Sequence, residues 1–336
     1  SNNDFVYSTC SEHGQVLRSA FDSLLLEKWK VAKEADLFNY QVDDVETKIL
    51  PGRFEFVAQM NANRKTMRRK PQNMLHILQP FDPEKFNFTK IKPEEILANL
   101  CYEHINTRNL EASLIINNAP ICCSHSLVVP FLAHCQPQVL EHKGLLMALH
   151  TLLLSQTPDL RIAYNSLGGY ASVNHLHFHL YYLPYKLLIE TAECERLAGP
   201  CYVFKDYHAP GFVFQLENGD IDRLISERIF FCIYAQRKSS LFICYLSHTK
   251  SYFFFNAGIK DISVFAAAAC ELAGHLPIYS SDHWCSLSEE DITPTTRIVC
   301  EESFATIVPK IVKLFGEINN TSAGVALNVV DSGSLK

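Results

Sequence analysis

The sequence predicts an α+β protein of two related units with antiparallel sheets, and three observations carry that expectation. A helix, a β-rich hairpin and a second helix occur in that order twice, in a chain of 336 residues, long enough for two units. The β-rich runs within each hairpin are separated by turn residues, the pattern of antiparallel neighbours. Hydrophobic residues make up 48% and charged residues 20%, ordinary globular usage with ample material for a core.

Residues 14–36 place Leu17, Phe21, Leu24, Leu25 and Trp29 at helical spacing, which predicts an amphipathic N-terminal helix. Residues 53–60 alternate in polarity and predict a strand. Arg64-Lys65-Thr66-Met67-Arg68-Arg69-Lys70 follows, five cations in seven residues, a solvated loop unless a ligand accounts for it. Pro93-Glu94-Glu95 opens a short helix, since proline suits the first turn and carboxylates favour its positive end. Runs at 113–116 and 126–129 predict a hairpin, with an apolar helix over 137–155 and a strand at 161–164. The Gly168-Gly169 turn then leads into a strand over 171–182. In the second half the spacing predicts a helix near 220–236, strands at 240–245 and 251–255, and a helix over 262–274. The expected division is an N-terminal helical segment (1–50), a catalytic unit (51–185), a second unit lacking its chemistry (186–316) and a flexible tail (317–336). Trp29 and Tyr252-Phe253-Phe254-Phe255 are expected in the core.

Composition narrows the class. A net charge of −6 argues against a broad nucleic-acid surface. No run approaches the ~18 apolar residues of a membrane span. The twelve cysteines contain no Cys-x-x-Cys, and the adjacent Cys122-Cys123 suits neither a zinc knuckle nor an ordinary disulfide framework. With no secretory signal pattern at Ser1-Asn2-Asn3-Asp4, the expectation is a reduced, cytoplasmic protein without membrane or nucleic-acid partners.

The chemistry concentrates in Asn174-His175-Leu176-His177-Phe178-His179-Leu180. A strand alternates its side chains, so His175, His177 and His179 share one face while Leu176, Phe178 and Leu180 share the other. A buried row of imidazoles without partners is costly, so the row is expected to face a ligand. Two ligands fit: a zinc or iron ion, or a phosphate attacked by one imidazole while its neighbours donate hydrogen bonds. The preceding Asn165-Ser166-Leu167-Gly168-Gly169-Tyr170-Ala171-Ser172 supplies an amide, a flexible turn and a hydroxyl, which suits phosphate better than metal. No carboxylate stands nearby in sequence to complete a metal triad, and neither a metal nor another cofactor is expected.

This arrangement resembles the histidine triad (HIT) superfamily, with Asn165, Gly169 and Ser172 where that pattern has its asparagine, glycine and serine. His125-Ser126-Leu127-Val128-Val129-Pro130 is similar to its histidine-led strand ending in proline. Asn117 stands where the pattern has a ribose-contacting aspartate. Arg68-Arg69-Lys70-Pro71-Gln72, Gln79-Pro80-Phe81, Phe86-Asn87-Phe88-Thr89-Lys90, Val173-Asn174-His175-Leu176-His177 and Glu271-Leu272-Ala273-Gly274-His275-Leu276-Pro277 together resemble the GDP-hexose phosphorylases, relatives of galactose-1-phosphate uridylyltransferase. The Ala-Gly-His-Leu-Pro segment looks more like the animal GDP-D-glucose enzymes than the plant GDP-L-galactose enzymes.

The resemblance implies a HIT-like fold and the reaction of a GDP-hexose with inorganic phosphate to hexose 1-phosphate and GDP. It implies His177 as nucleophile, its second ring nitrogen held by the backbone carbonyl of His175, with His179 and Ser172 donating to phosphate or leaving oxygen. Asn117, His125 and Asn165 are expected to contact the nucleotide, and Arg68, Arg69 or Lys90 the phosphates. A site completed within the chain or across a homodimer is equally compatible. The alternatives are a HIT-type nucleotide hydrolase and a catalytically silent nucleotide-binding protein.

Overall fold

The computed structural model describes residues 4–7, 19–42, 45–70, 72, 75–102, 110–215, 241–246, 250–256 and 266–321. Fourteen strands occur among them: β1 (Asp4–Tyr7), β2 (Thr47–Ile49), β3 (Val57–Met60), β4 (Ile96–Tyr102), β5 (Leu110–Ile116), β6 (Ser126–Pro130), β7 (Leu160–Asn165), β8 (Phe178–Tyr182), β9 (Cys194–Ala198), β10 (Cys201–Phe204), β11 (Phe212–Gln215), β12 (Leu241–Leu246), β13 (Lys250–Asn256) and β14 (His275–Ile278). Eleven form one sheet in the order β1-β4-β5-β6-β8-β7-β12-β13-β11-β10-β9, and β14-β3-β2 form a second. In the large sheet every neighbouring pair is antiparallel except β1 with β4. The β7–β12 pairing, with Ala163 opposite Tyr245, joins the two halves of the chain into one surface.

Helices cover one face of this sheet. The first, α1 (Ala20–Glu34), starts at a Ser19–Asp22 capping box and buries Phe21, Leu25 and Trp29. Helix α3 (His142–Leu153) follows the short α2 (Ala62–Met67), and the long α6 (Glu289–Thr321) comes after the four-residue α4 (Ala269–Leu272) and α5 (Ser281–Trp284). Residues of α1, α3 and α6 share one apolar cluster with Leu114, Ile116, Val128, Phe178 and Leu180. The alternate residues Ile115, Leu127 and Val129 pack on the opposite face. Tyr252-Phe253-Phe254-Phe255 divides in the same way, Phe253 and Phe255 with the helices and Tyr252 and Phe254 beneath the other face. Trp29 is core as expected.

Several predicted elements change length. The helix expected over 137–155 spans His142–Leu153, and the segment at 93–95 is a single 3-10 turn leading straight into β4. The helix expected near 220–236 lies outside the described residues, as do residues 262–265 of the last one, whose described part is Ala269–Leu272. The strand expected over 53–60 is Val57–Met60 alone. The reason lies far away in sequence: the Glu289 carboxylate accepts from the backbone N–H groups of Arg53 (2.8 Å), Phe54 (2.5 Å) and Glu55 (3.0 Å), so these donors are taken from any ladder. Glu55 adopts a left-handed φ of 47°.

The strand expected over 171–182 is likewise shorter, Phe178–Tyr182, so His175 and His177 precede it. The backbone of His177 is nonetheless held by a substitute partner. The Gln138 amide accepts from the His177 N–H (2.8 Å) and donates to the His177 carbonyl (3.1 Å), as an adjacent strand would. Leu176 donates to the Gln136 carbonyl at 2.8 Å. Leu176 packs so close to α3 that a β-carbon on Gly144 would lie 2.9 Å from its Cδ2, and the missing side chain permits the contact.

Gly52 faces the same Glu289 carboxyl, where a β-carbon would lie 2.2 Å from Cδ, and its φ is +144°. Gly52→Ala is therefore expected to destabilise the fold by about 1–3 kcal/mol in urea unfolding. The penalty should shrink in a Glu289→Ala background, because the clash and the hydrogen bonds belong to one group.

Candidate active site

The face opposite the helices carries an open cleft of about 1160 Å³ at the seam of the two halves. Its floor comes from the histidine segment, and the segment is fixed from several directions. Asn174 accepts from the Gln138 N–H (2.9 Å) and donates to the carbonyls of Gln79 (3.2 Å) and Pro80 (2.7 Å). Gln138 also donates to the Asn165 carbonyl at 2.9 Å, coupling the segment to β7. The Asn165 side chain then accepts from the Ala269 N–H at 3.0 Å, tying β7 to the α4 turn.

These anchors set the ring nitrogens. His177 Nδ1 lies 2.7 Å from the His175 carbonyl. A carbonyl only accepts, so Nδ1 carries the proton and the Nε2 lone pair is left for the cleft that His177 lines. A second chain orients His179. The Ile121 N–H donates to His125 Nδ1 at 2.9 Å, so His125 carries its proton on Nε2. That proton goes to His179 Nδ1, 2.9 Å away. His179 is left with an Nε2–H, a donor, beside a neighbour whose Nε2 is a free base. The two rings lie 5.5 Å apart between centroids.

Burial keeps this row uncharged. Desolvation pulls His177 down to about 4, against a smaller upward pull from its bond to the His175 carbonyl. His179 and His125 are also held well below the ordinary imidazole value, first by burial and then by neighbouring histidines and Arg64. At neutral pH the row is uncharged, with a lone pair at His177 Nε2 and a donor at His179 Nε2. Among the described residues no three His, Cys, Asp or Glu side chains are placed to hold a metal ion.

Of the residues expected in the site, His177, His179, Ser172, Asn117, His125, Asn165, Arg68 and Arg69 line the cleft together. His175 does not. Its ring is buried behind the floor, accepts from the Phe88 N–H at 3.1 Å and packs on Phe81 and Phe88, so it contributes through its carbonyl. Lys90 is also off the cleft, because its ammonium donates to the carbonyls of Pro83 (2.5 Å), Glu84 (3.1 Å) and Lys85 (3.0 Å) and closes that loop. Asn117 accepts from the Ala119 N–H (3.1 Å), with its Nδ2 3.2 Å from His125 Nε2. Arg69 lies 3.4 Å over the Phe86 ring.

Arg64 corrects the sequence reading. It is no loop cation: it lines the cleft, donates to the Ala119 carbonyl and hydrogen-bonds Tyr40, with its buried Nε–H unpartnered among the described residues. No carboxylate within 4 Å pairs with it among the described residues, so its charge is open to an anion. Lys65 stays exposed as expected. Glu271 and Tyr279 also line the cleft, and no local pattern marked them as site residues.

An alternating histidine row beneath an antiparallel sheet, with one imidazole held through a backbone carbonyl, places the molecule in the HIT-like fold class of nucleotidyl-transfer enzymes. The yeast Ap4A phosphorylase Apa2 in complex with Ap4A superimposes with a TM-score of 0.61 over 84% of this chain and 97% of that chain, at 15% identity. Residues 20–181 match the family described as GDPGP1-like, N-terminal domain. GDP-D-glucose phosphorylase 1 of Danio rerio is 35% identical over 87% of this chain and 90% of its own length, and that of Homo sapiens 38% identical over 81% and 77%. GDP-L-galactose phosphorylase 2 of Arabidopsis thaliana is 37% identical over 51% of this chain and 43% of its own. The chain belongs to the GDP-D-glucose phosphorylase family.

The depressed imidazoles make stability depend on pH. Unfolded histidine takes a proton near 6.5, whereas His175 and His177 take it near 4 and His208 and His275 near 3 in the fold. Between those values the unfolded chain binds more protons, so stability is lost as pH falls from 6.5 towards 4. Glu271, raised to about 7, works in the opposite direction between 4.5 and 7, but it is one group against several. The expected outcome is a falling Tm from pH 6.5 to 4, and a Tm that holds or rises over that range would contradict the buried neutral row.

Proposed function

We propose that the chain catalyses phosphorolysis of a GDP-hexose, GDP-D-glucose foremost, through a guanylylated His177. One observation carries the reading: His177 Nδ1 is fixed on the His175 carbonyl, so its neutral Nε2 faces a cleft that also presents His179, Ser172 and Arg64. In the first step the Nε2 lone pair attacks the α-phosphorus. The bond from phosphorus to the bridging oxygen breaks, and hexose 1-phosphate leaves with that electron pair. His179 Nε2–H and the Ser172 hydroxyl donate to the oxygens that gain charge. Nδ1 keeps its proton throughout, so the attached imidazole is cationic and ready to leave. In the second step an oxygen of inorganic phosphate attacks the same phosphorus, the P–N bond breaks, and GDP departs with His177 neutral again.

The rest of the cleft supports this assignment. Phe86, Phe88, Ile91, Ile115 and Leu127 give the cleft apolar lining that suits a base. Asn117 lines the same cleft and offers a ribose contact. Arg64, Arg68 and Arg69 supply the positive charge that a diphosphate and an incoming phosphate require in a protein of net charge −6. The reading assigns the chemistry to a unit over 51–185, with 186–316 completing the wall through the α4 turn. It extends to a reducing, cytoplasmic setting, in keeping with cysteines that follow no Cys-x-x-Cys spacing. No described helix is long and apolar enough to cross a membrane.

The test is incubation with GDP-D-glucose, with and without phosphate, following GDP and glucose 1-phosphate. The expected result is phosphate-dependent GDP release, reduced by more than about 10³-fold in His177→Asn. Release of GMP without phosphate would mean a hydrolase instead. Nucleotide binding with no turnover would mean a silent relative.

A further inference from the structure

Gln138 is 1% exposed and does not line the cleft, yet the three hydrogen bonds of its amide all end on the backbone of cleft-lining residues. Oε1 accepts from the His177 N–H at 2.8 Å, and Nε2 donates to the carbonyls of His177 (3.1 Å) and Asn165 (2.9 Å). Strand register explains why these groups converge. β7 pairs with β8 antiparallel, with Leu160 opposite Tyr182 and Ala163 opposite His179. Two residues further, the same register sets Asn165 opposite His177, and in a continued ladder the two would face each other. The ladder stops short of that pair, since β8 begins at Phe178. The Gln138 amide takes the backbone groups that the missing pair leaves over.

Residue 138 is itself held on both sides. Its N–H donates to Asn174 Oδ1 (2.9 Å), and its carbonyl accepts from the hydroxyl of Tyr164 (3.0 Å), the neighbour of Asn165 on β7. The peptide between His175 and Leu176 is set by Gln136, whose carbonyl accepts from the Leu176 N–H at 2.8 Å. That N–H and the His175 carbonyl belong to one trans peptide and point in opposite directions, so fixing the first aims the second. The carbonyl aimed in this way is the acceptor 2.7 Å from His177 Nδ1. Gln136 thus fixes one end of that bond through its backbone, and Gln138 fixes the other through its side chain. Substitution can remove the second without touching the first.

On the reading of His177 as nucleophile, we propose that Gln138 is its positioning residue: the amide stands in for the missing pairing of Asn165 with His177 and keeps the His177 ring against the His175 carbonyl, with Nε2 in the cleft. Gln138 touches no substrate and serves the attack on phosphorus, not nucleotide affinity. The chemistry of the gap calls for an amide. It presents one backbone donor and two backbone acceptors, and a glutamine side chain answers with one acceptor and two donors. A carboxylate has no donor to offer, and an apolar side chain would leave all three groups buried and unpaired.

Gln138→Met keeps the length of the side chain and removes all three bonds. Gln138→Glu keeps the acceptor for the His177 N–H and, as the neutral acid that burial favours, one donor in place of two. Wild type and both variants are compared by kcat on GDP-D-glucose with phosphate, by calorimetric binding of GMP, which has no diphosphate bond to break, and by the nitrogen NMR signature of the His177 ring, identified by its absence in His177→Asn. Wild type should show a single His177 tautomer with the proton on Nδ1. Q138M should lose about 10- to 100-fold in kcat, bind GMP within about threefold of wild type, and lose the single-tautomer signature. Q138E should fall between the two. A folded Q138M that keeps the wild-type tautomer, or a kcat within about threefold of wild type, overturns the proposal. So does a loss of GMP affinity that matches the loss in kcat, because it means a general disturbance of the cleft. If circular dichroism shows Q138M unfolded, Q138E is read by the same three criteria, and if neither folds the residue is structural and the proposal falls. Absence of phosphate-dependent turnover by wild type removes the phosphorylase reading alone, since the tautomer comparison still decides whether Gln138 holds the ring.

Discussion

The hydrogen bond between His177 Nδ1 and the His175 carbonyl, 2.7 Å long, is the constraint on which the rest of the site depends. It determines which nitrogen holds the proton, and so which one keeps its lone pair for the cleft. The bond joins residues two apart in a segment that precedes the strand proper. Gln138 holds that segment by closing on both backbone polar groups of His177, Asn174 holds it through the Gln138 N–H, and the Gln136 carbonyl accepts from Leu176 between them. The floor of the cleft is therefore fixed by the chain at 136–138, through side chains and backbone together.

Tautomer control extends along the row. His125 takes its one available acceptor contact from the Ile121 N–H, and everything downstream follows from that choice. Its Nε2 proton has to go outward, His179 has to receive it on Nδ1, and the remaining His179 proton points away from the pair. Two backbone groups, one carbonyl and one N–H, thus assign opposite roles to two identical side chains. Burial completes the division by keeping both rings neutral, so that the His177 Nε2 lone pair is not masked by a proton at physiological pH.

Much of this was legible in sequence because it is local. The period of two places His177 and His179 on one face and Phe178 in the core, and Asn165, Ser172, Asn117 and His125 all reach the same cleft. What sequence could not show depends on contacts between distant residues. Arg64 sits in a run of cations that reads as solvent-facing, and only the Ala119 carbonyl, 55 positions on, pulls it into the cleft. Lys90 has the composition of a phosphate ligand but spends its three donors on its own loop. The strand at 53–60 loses half its length to Glu289, more than 230 residues later. Glu271 stood in a recognisable segment, yet its role as part of the cleft wall arises from β7 holding the α4 turn through Asn165.

The amide at Asn117 acquires a reason in this setting. Its Oδ1 is committed to the Ala119 N–H, and its Nδ2 faces His125 Nε2 at 3.2 Å. The amide nitrogen is a donor and cannot accept the proton that His125 gives to His179, so its approach to Nε2 is a contact between two donors and not a hydrogen bond. A carboxylate at the same position would accept that proton and draw positive charge into the pair, since an anion beside a buried imidazole raises its basicity. His179 would then lose the contact that fixes its tautomer. It would also add a negative charge to the cleft, in a chain already carrying a net −6. Asparagine therefore suits a cleft in which a neutral histidine row stands beside the positive charge of Arg64: the amide cannot take the His125 proton, and it adds no charge of its own.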